Sequence, residues 1–307
     1  MTRTLQAIFA GIFAMLAAIE PLAAGPFEDG AAAYERGDYA TALKLWRPLA
    51  ESGDAMAQIR VAGLYADGTG VTQDFDEAVR WFRRAAEQGN ARAQFNLGTL
   101  YDIGQGVPQA YPEALKWYRR AAEQGHAGAQ LKLATMYAHG RGGPKDDAEA
   151  VKWYRQAAER GSAAAQFALA VHSAKGQGVP QSHTEALKWA RMAANQGHVL
   201  AQYNLAIMYD NGRGVPKNAE EASKWYRLAA DQGYLLAQST IGLRYSMGLG
   251  VPRDEVQALM WLSVAAARGD KKAVKDRDEV KRAMTPAQND QAQKLAREWT
   301  AKVGPPR

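Results

Sequence analysis

The chain has 307 residues, and with 47% hydrophobic residues, 8 Trp and 13 Tyr it carries too much apolar material to be an intrinsically disordered protein. Its formal net charge of +6 would suit acidic partners, but acidic and basic residues are interspersed, so the charge alone indicates neither nucleic-acid nor lipid binding. Because the chain has no Cys, disulfides, thiolate metal sites and a lipoprotein anchor are excluded.

Residues 1–24 have the pattern of a secretory signal peptide. A basic residue precedes an apolar run over residues 5–18, and a small-residue cleavage site ends at Ala24. We therefore predict cleavage after Ala24 and a periplasmic or secreted mature protein. An uncleaved membrane anchor is the alternative, but a spanning helix needs about 20 apolar residues, and Glu20 and Pro21 interrupt this run.

Two residue types recur along the chain at a constant interval of 36 residues. The tryptophans of this series are Trp81, Trp117, Trp153, Trp189, Trp225 and Trp261. The glutamines are Gln58, Gln94, Gln130, Gln166, Gln202 and Gln238. A period of this size indicates supersecondary units that are too small to bury their apolar faces alone and are stable only when stacked. We predict six such repeats, at residues 54–89, 90–125, 126–161, 162–197, 198–233 and 234–269.

Each repeat has the pattern of two helices joined by a turn. In the repeat 90–125, helix A runs from the segment 91–94 to about Tyr101, and the glycines and proline of residues 104–108 end it. Helix B places Trp117 on one face with three alanines, at spacings i, i+3, i+7 and i+8. Gly125 then stands where a left-handed residue ends a helix. The sequence therefore predicts an all-α fold of stacked helical hairpins.

The repeat pattern is Ala-x-Ala-Gln-x-x-Leu-Gly-x-x-Tyr, then Gly-x-Gly-Val, then Ala-x-x-Trp-x-x-x-Ala-Ala-x-x-Gly. It resembles the Sel1-like repeat family, a branch of the tetratricopeptide-like α/α solenoids, over about residues 54–269. The resemblance implies a right-handed superhelix that acts as an adaptor or scaffold for protein complexes. Exported bacterial members of the family act in cell-envelope regulation, exopolysaccharide control and contact with host factors. Cysteine-rich members have been linked to penicillin binding, which this Cys-free chain is not expected to share.

The two ends of the chain depart from the repeat pattern. Residues 25–53 keep Trp46 but lack the two-glycine loop, so we predict an N-terminal capping unit with a tetratricopeptide-like turn. Residues 270–307 are rich in Lys and Arg, contain a helix start at Pro286 and include Trp299, which is typical of a C-terminal helical cap followed by a tail.

The sequence lacks the residue combinations that catalysis and metal binding require. None of the usual protease, hydrolase or nucleotide-binding motifs occurs, and the histidines do not share a helix face at ligand spacing. His126 and His198 follow the closing glycine of a repeat, where a surface or capping role is favoured. The recurrent Gly-x-Gly loops are better explained by turn geometry than by anion binding. We therefore predict no enzyme activity, no metal, no cofactor and no nucleic acid, with membrane contact only through a partner.

Variable positions on helix A form a candidate partner-binding surface. With Asp54 as position 1 of its repeat, positions 5, 8, 9 and 12 share one helix face and are nearly identical between repeats, whereas positions 3, 7, 10 and 14 face away and vary. We call this variable set the helix A stripe; the family resemblance implies that it lines the concave side. The residues predicted to contact a protein partner are Arg92, Asn96, Lys132, Leu200, Asn204, Ile207, Leu236, Thr240, Leu243 and Met247.

The carboxy-terminal half of the stripe is apolar, whereas its amino-terminal half is polar and partly basic. The apolar cluster consists of Leu200, Ile207, Leu236, Leu243 and Met247, and an exposed cluster of this kind is suited to hold a partner's segment. The alternative is that superhelical curvature or the C-terminal cap covers these side chains and makes them ordinary core.

The repeat 162–197 lacks two large side chains. Ser173 replaces the usual Tyr of helix A, and Ala190 replaces the aromatic residue that follows the Trp of helix B. Thinner packing would make this repeat a softer joint in the array. Compensation by Phe167 and Met192 is the alternative.

These observations favour a non-enzymatic interaction scaffold of the bacterial cell envelope that regulates or assembles a membrane or periplasmic complex. The alternatives are a secreted factor that binds a host protein and a cell-wall-directed hydrolase or ligand-binding protein.

Overall fold

The computed structural model describes residues 25–303, so the predicted signal peptide at 1–24 and the last four residues lie outside the described part. Between these limits the chain forms 16 α-helices and no strand, which confirms the all-α prediction. The helices are α1 Pro26–Glu35, α2 Tyr39–Glu51, α3 Ala55–Asp67, α4 Phe75–Glu87, α5 Ala91–Ile103, α6 Tyr111–Glu123, α7 Ala127–His139, α8 Asp147–Glu159, α9 Ala163–Lys175, α10 His183–Asn195, α11 Val199–Asn211, α12 Ala219–Asp231, α13 Leu235–Met247, α14 Glu255–Ala267, α15 Lys271–Arg282 and α16 Pro286–Val303.

Each of the six predicted repeats is one antiparallel helical hairpin, from α3–α4 to α13–α14. In five of the six repeats helix A starts where a capping side chain accepts a backbone N–H, as Asp54 does from Ala57 at 2.7 Å. It ends at a glycine in the left-handed region, such as Gly104 with φ 75°. Helix B is followed by a second left-handed glycine, such as Gly89 with φ 93°, which turns the chain into the next repeat.

Within each unit, the second glycine of the loop is required by a close approach to the preceding repeat. Gly106 has φ 67°, and a Cβ there would collide with the carbonyl oxygen of Phe75, at the start of helix B one repeat earlier. Gly250 stands in the same relation to the carbonyl oxygen of Ala219. The recurrent Gly-x-Gly loops therefore serve chain geometry, as predicted.

The helices fall into two compact units, Met1–Gln124 and Gly125–Arg307, each of which is described by itself. In the described part of the first unit, α2 packs on α3 and α4 packs on α5. In the second unit, α8 packs on α9, α10 on α11, and α12 on α13, while α15 and α16 both pack on α14. Helix B of one repeat thus lies against helix A of the next within each unit.

The repeating tryptophans are buried, as predicted, with between 0% and 8% of their surface exposed. A ladder of buried glutamines also joins neighbouring repeats. In the second unit, Gln202 donates from Nε2 to the carbonyl oxygen of Ala194 at 3.2 Å, and its Oε1 accepts from Gln232 at 2.8 Å. Gln58 of the first unit makes the same two bonds, to Ala50 and from Gln88. Because a buried polar group must be paired, this ladder fixes the register between repeats.

Both ends of the described chain cover the apolar faces of their neighbours. In the first unit Trp46 is buried, and its indole N–H donates to the carbonyl oxygen of Phe27 at 3.0 Å. In the second unit Trp299 on α16 lies edge-to-face against Trp261, with ring centroids 5.4 Å apart. Helix α16 begins at Pro286, as predicted, with Thr285 and Gln288 capping each other. No helix between residues 25 and 303 is long and apolar enough to cross a membrane.

Candidate protein-binding surface

The helix A stripe lies opposite the buried face of each hairpin. In α5, Gln94 and Leu97 are buried, whereas Arg92 is exposed and Asn96 is half-buried. The predicted division of helix A into a core face and an outward face is therefore confirmed for this repeat. Neighbouring hairpins hold these helices side by side, so that the stripe is a row of side chains from successive repeats within each unit.

In the first unit the stripe borders a groove of about 410 Å³ whose lining is part polar and part apolar. Arg92, Asn96 and Thr99 line it from α5, and Arg60 and Asp67 line it from α3. The groove thus combines two guanidinium groups with amide, hydroxyl and carboxylate groups. Apolar side chains of α3, α4 and α5 also line the groove, so it offers a polypeptide both hydrogen-bonding groups and apolar surface.

In the second unit the stripe carries large exposed apolar side chains. Leu200 is 41% exposed, Leu236 48% and Met247 57%. Lys132, on α7, is also exposed. Because water reaches these three large apolar side chains, they are not part of a core. Neither superhelical curvature nor the C-terminal cap covers them.

The remaining predicted contact residues are half-buried, and the C-terminal cap reaches one of them. Leu243 packs against the cluster of Leu262, Ala265 and Ala273, which includes helix α15 of the cap. The polar residues turn back onto their own helices: Asn204 donates to the carbonyl oxygen of Leu200 at 2.9 Å, and Thr240 donates to that of Leu236 at 2.6 Å. Ile207 lines a pocket described below. A binding role for these residues stays a prediction.

An ion pair lies beneath the stripe between α11 and α13. The Arg244 guanidinium holds Asp210 through two bonds of 2.8 Å and also donates to the Ser223 hydroxyl and to the carbonyl oxygen of Ala219. The Arg244 side chain is only 7% exposed. Because the guanidinium is almost fully paired, it stabilises the junction between two repeats rather than binding a ligand.

The repeat 162–197 contributes to an apolar pocket of about 220 Å³. The pocket lies beside Ala190, which replaces the aromatic residue found in other repeats. Ala190 lines it from α10, Phe167 and Val171 line it from α9, and Met208 lines it from α11. Met192, the proposed compensating side chain, is 39% exposed and does not line the pocket, so that part of the alternative is wrong. Phe167 lines the pocket but does not close it.

Sequence reasoning treated this gap as a weakness in packing and missed the pocket. The signal was present, because Ala190 stands where four other repeats have Phe or Tyr. The missing information was which side chains surround that ring. Some of these side chains belong to the following repeat, so the residue spacing within one repeat does not identify them.

Two histidines and two buried tyrosines of the described chain have structural roles. His126 and His198 cap helices α7 and α11, each accepting a backbone N–H through Nδ1, as the sequence predicts. Burial raises the pKa of the Tyr118 and Tyr226 hydroxyls well above its usual range, so both remain protonated at neutral pH. Within residues 25–303 no cluster of three or more His, Asp or Glu side chains is arranged to hold a metal ion.

Comparison with known protein families matches the Sel1 repeat to seven consecutive segments. These are residues 25–54, 55–90, 91–126, 127–162, 163–198, 199–234 and 235–270. The chain belongs to the Sel1 repeat family. The first match covers the segment assigned above to the N-terminal capping unit, where α1 and α2 form a hairpin like those of the later repeats.

Two solved structures support the Sel1 repeat assignment. A Sel1 repeat protein from Oxalobacter formigenes is 34% identical, with a TM-score of 0.69, and the match covers 79% of this chain and 97% of that one. The protein c5321, a protective antigen of uropathogenic Escherichia coli with an SLR fold, is 27% identical, with a TM-score of 0.52 and coverage of 91% and 84%. A comparison with curated proteins gives no match. Sel1 repeat proteins typically mediate protein–protein interaction and are generally non-catalytic scaffolds.

Proposed function

We propose that this Sel1 repeat chain is an adaptor of the bacterial cell envelope that binds a segment of a protein partner along the helix A stripe. The observation that carries the proposal is the exposure of Leu200, Leu236 and Met247 on successive A helices. A partner segment that covered these side chains would remove their apolar surface from water, at about 25 cal/mol for each Å² buried.

The rigid support of the stripe favours binding. The buried tryptophans and the glutamine ladder hold each A helix in register, so the exposed side chains need little ordering when a partner arrives. Because the surface loses little conformational entropy on binding, less of the interaction energy is needed to offset that loss and the affinity is higher. Regulation or assembly of a membrane or periplasmic complex is the role that such a display surface would serve.

The test compares two double variants that make the same chemical change on opposite helices. Leu200→Asp with Leu236→Asp places two charges on the stripe, whereas Met192→Asp with Leu228→Asp places two on helix B, where the side chains are 39% exposed. Crosslinking in cells followed by mass spectrometry identifies the partner, and calorimetry with the purified partner gives the affinity. We expect a loss of about 30-fold or more for the stripe variant and less than about threefold for the helix B variant.

Thermal melting followed by circular dichroism is the control for folding. Because all four changed residues are exposed, we expect both variants to have melting temperatures close to that of the unchanged protein. Equal losses of affinity in the two variants, with both still folded, would exclude the stripe as the binding surface.

The envelope location rests on the predicted signal peptide. Cell fractionation and sequencing of the mature amino terminus test it directly, and we expect a periplasmic or secreted protein that begins at Gly25. Recovery in the cytosol with residues 1–24 intact would contradict the location, although the binding surface itself would be unaffected.

A secreted factor that binds a host protein is the second candidate. The similarity to a protective antigen of uropathogenic Escherichia coli is the observation that favours it. Fractionation separates the two candidates, because an envelope adaptor is retained with the cells and a host-directed factor is recovered from the medium.

A further inference from the structure

The aromatic residue after the repeat tryptophan fills one defined space in neighbouring repeats. The Tyr154 hydroxyl donates to Thr135 at 3.3 Å, and its ring lies 5.5 Å from the His172 ring of the following repeat. The Tyr226 ring lies 5.5 Å from that of Tyr203. The ring therefore sits among positions 6 and 10 of its own repeat and position 11 of the next repeat.

In the repeat 162–197 these three positions surround an open space. Phe167 and Val171 hold positions 6 and 10, Met208 holds position 11 of the next repeat, and all three line the pocket together with Ala190. The pocket thus lies beside the place of the missing ring, and Ala190, only 1% exposed, borders it. Its volume of about 220 Å³ is sufficient for one aromatic ring, because apolar cavities of roughly 150 Å³ in proteins bind benzene.

The rim of the pocket is basic and continuous with the stripe. Lys175 and Arg213 are its cationic lining residues, and both are exposed. Asn204 and Ile207 of the stripe form part of the wall, and Leu200 stands two turns earlier on α11. A chain lying on the stripe would therefore pass the mouth of the pocket.

We propose that the pocket takes a Phe or Tyr side chain from the partner segment, flanked in that segment by Asp or Glu residues. The inference deepens the proposed function and depends on it, since the ring anchors a segment that lies on the stripe. Apolar burial of the ring provides affinity, and the two cations on the rim select acidic neighbours over basic ones.

The test uses three acetylated and amidated peptides of sequence Glu-Glu-Phe-Glu-Glu, Glu-Glu-Ala-Glu-Glu and Lys-Lys-Phe-Lys-Lys, with 3-phenylpropionate as a small-molecule probe. Binding is followed by NMR on protein labelled at the alanine methyl groups, with the Ala190 methyl as reporter. We expect the acidic Phe peptide to bind about tenfold or more tightly than each of the other peptides. Equal binding of the Phe and Ala peptides, or 3-phenylpropionate binding as tightly as the acidic Phe peptide, would overturn the proposal.

Variants then separate the pocket from the rest of the surface. Ala190→Tyr restores the ring found in other repeats, and Ala190→Leu reproduces the residue at Leu262 of the last repeat; both fill the pocket. We expect either variant to reduce binding of the Phe peptide to the level of the Ala peptide while melting cooperatively. Lys175→Glu with Arg213→Glu is expected to weaken binding of the acidic peptides. The matched double change Lys188→Glu with Lys224→Glu, at helix B residues that do not line the pocket, is expected to have no effect.

Failure of this inference is distinguishable from failure of the proposed function. If the partner loses affinity with the Leu200→Asp and Leu236→Asp variant but binds the Ala190→Leu protein normally, the stripe stands and the aromatic anchor does not.

Discussion

The ion pair between Arg244 and Asp210 gives the sharpest prediction of stability. Asp210→Asn keeps the shape of the side chain but removes the charge that faces a guanidinium with only 7% of its side chain exposed. The remaining bonds, to Ser223 at 2.6 Å and Ala219 at 2.9 Å, do not neutralise it. Breaking a buried pair from one side costs about 3 to 5 kcal/mol, and because Asp210 is 27% exposed we expect the lower end, about 3 kcal/mol.

A second change should restore most of that loss. Position 11 is Met in two other repeats of the second unit, at Met136 and Met208, so Arg244→Met is compatible with the repeat. The double variant with Asp210→Asn should unfold within about 1 kcal/mol of the unchanged protein, because neither charge then remains buried.

Urea denaturation followed by circular dichroism measures these differences. The matched control is Asp231→Asn, which removes the same charge from the exposed pair with Arg227, and we expect a change below about 0.5 kcal/mol. If Asp210→Asn lowers the free energy of unfolding no more than Asp231→Asn does, or if the double variant is less stable than Asp210→Asn alone, the buried ion pair does not stabilise this junction.

Three further predictions concern the repeat core and its caps. Trp261→Ala should lower the free energy of unfolding by about 3 to 5 kcal/mol in urea denaturation, because the indole is completely buried; a loss below about 1 kcal/mol would contradict its packing role. Gln202→Leu should cost about 2 kcal/mol by the same assay, since it leaves the Ala194 carbonyl and the Gln232 amide without their partner, and a neutral result would contradict the ladder. Burial lowers the pKa of His198 below its usual 6.5, so its contribution to stability is fully present above about pH 6.5 and is lost as the pH falls through the pKa of the folded state. Melting temperatures between pH 7.5 and pH 5 should therefore fall further for the unchanged protein than for His198→Asn, which keeps a capping side chain; parallel curves would contradict this.

The sequence predicts the hairpins and their buried face because that information repeats. Trp117 and Gln94 recur at one interval, and only a stack of helices buries both in every copy. The sequence left open whether the C-terminal cap covers Leu243, because the cap does not follow the repeat period.

Contacts between repeats were harder to predict. Arg244 is visible as an unusual residue at its position, but its partner Asp210 lies 34 residues earlier, and the sequence gives no reason to pair them. The pocket beside Ala190 depends in the same way on Met208 of the next repeat. Such features depend on the fit between copies, which the spacing within one copy does not determine.

We infer that the helix A stripe, and not the opposite helices, recognises a protein. A photo-crosslinking amino acid placed at Leu236 on α13, and separately at Leu228 on α12, tests it in the cells that produce the protein, because the two side chains are similarly exposed at 48% and 39%. We expect one discrete crosslinked product from position 236 and none from position 228. The same product from both positions, or a product from position 228 alone, would contradict it.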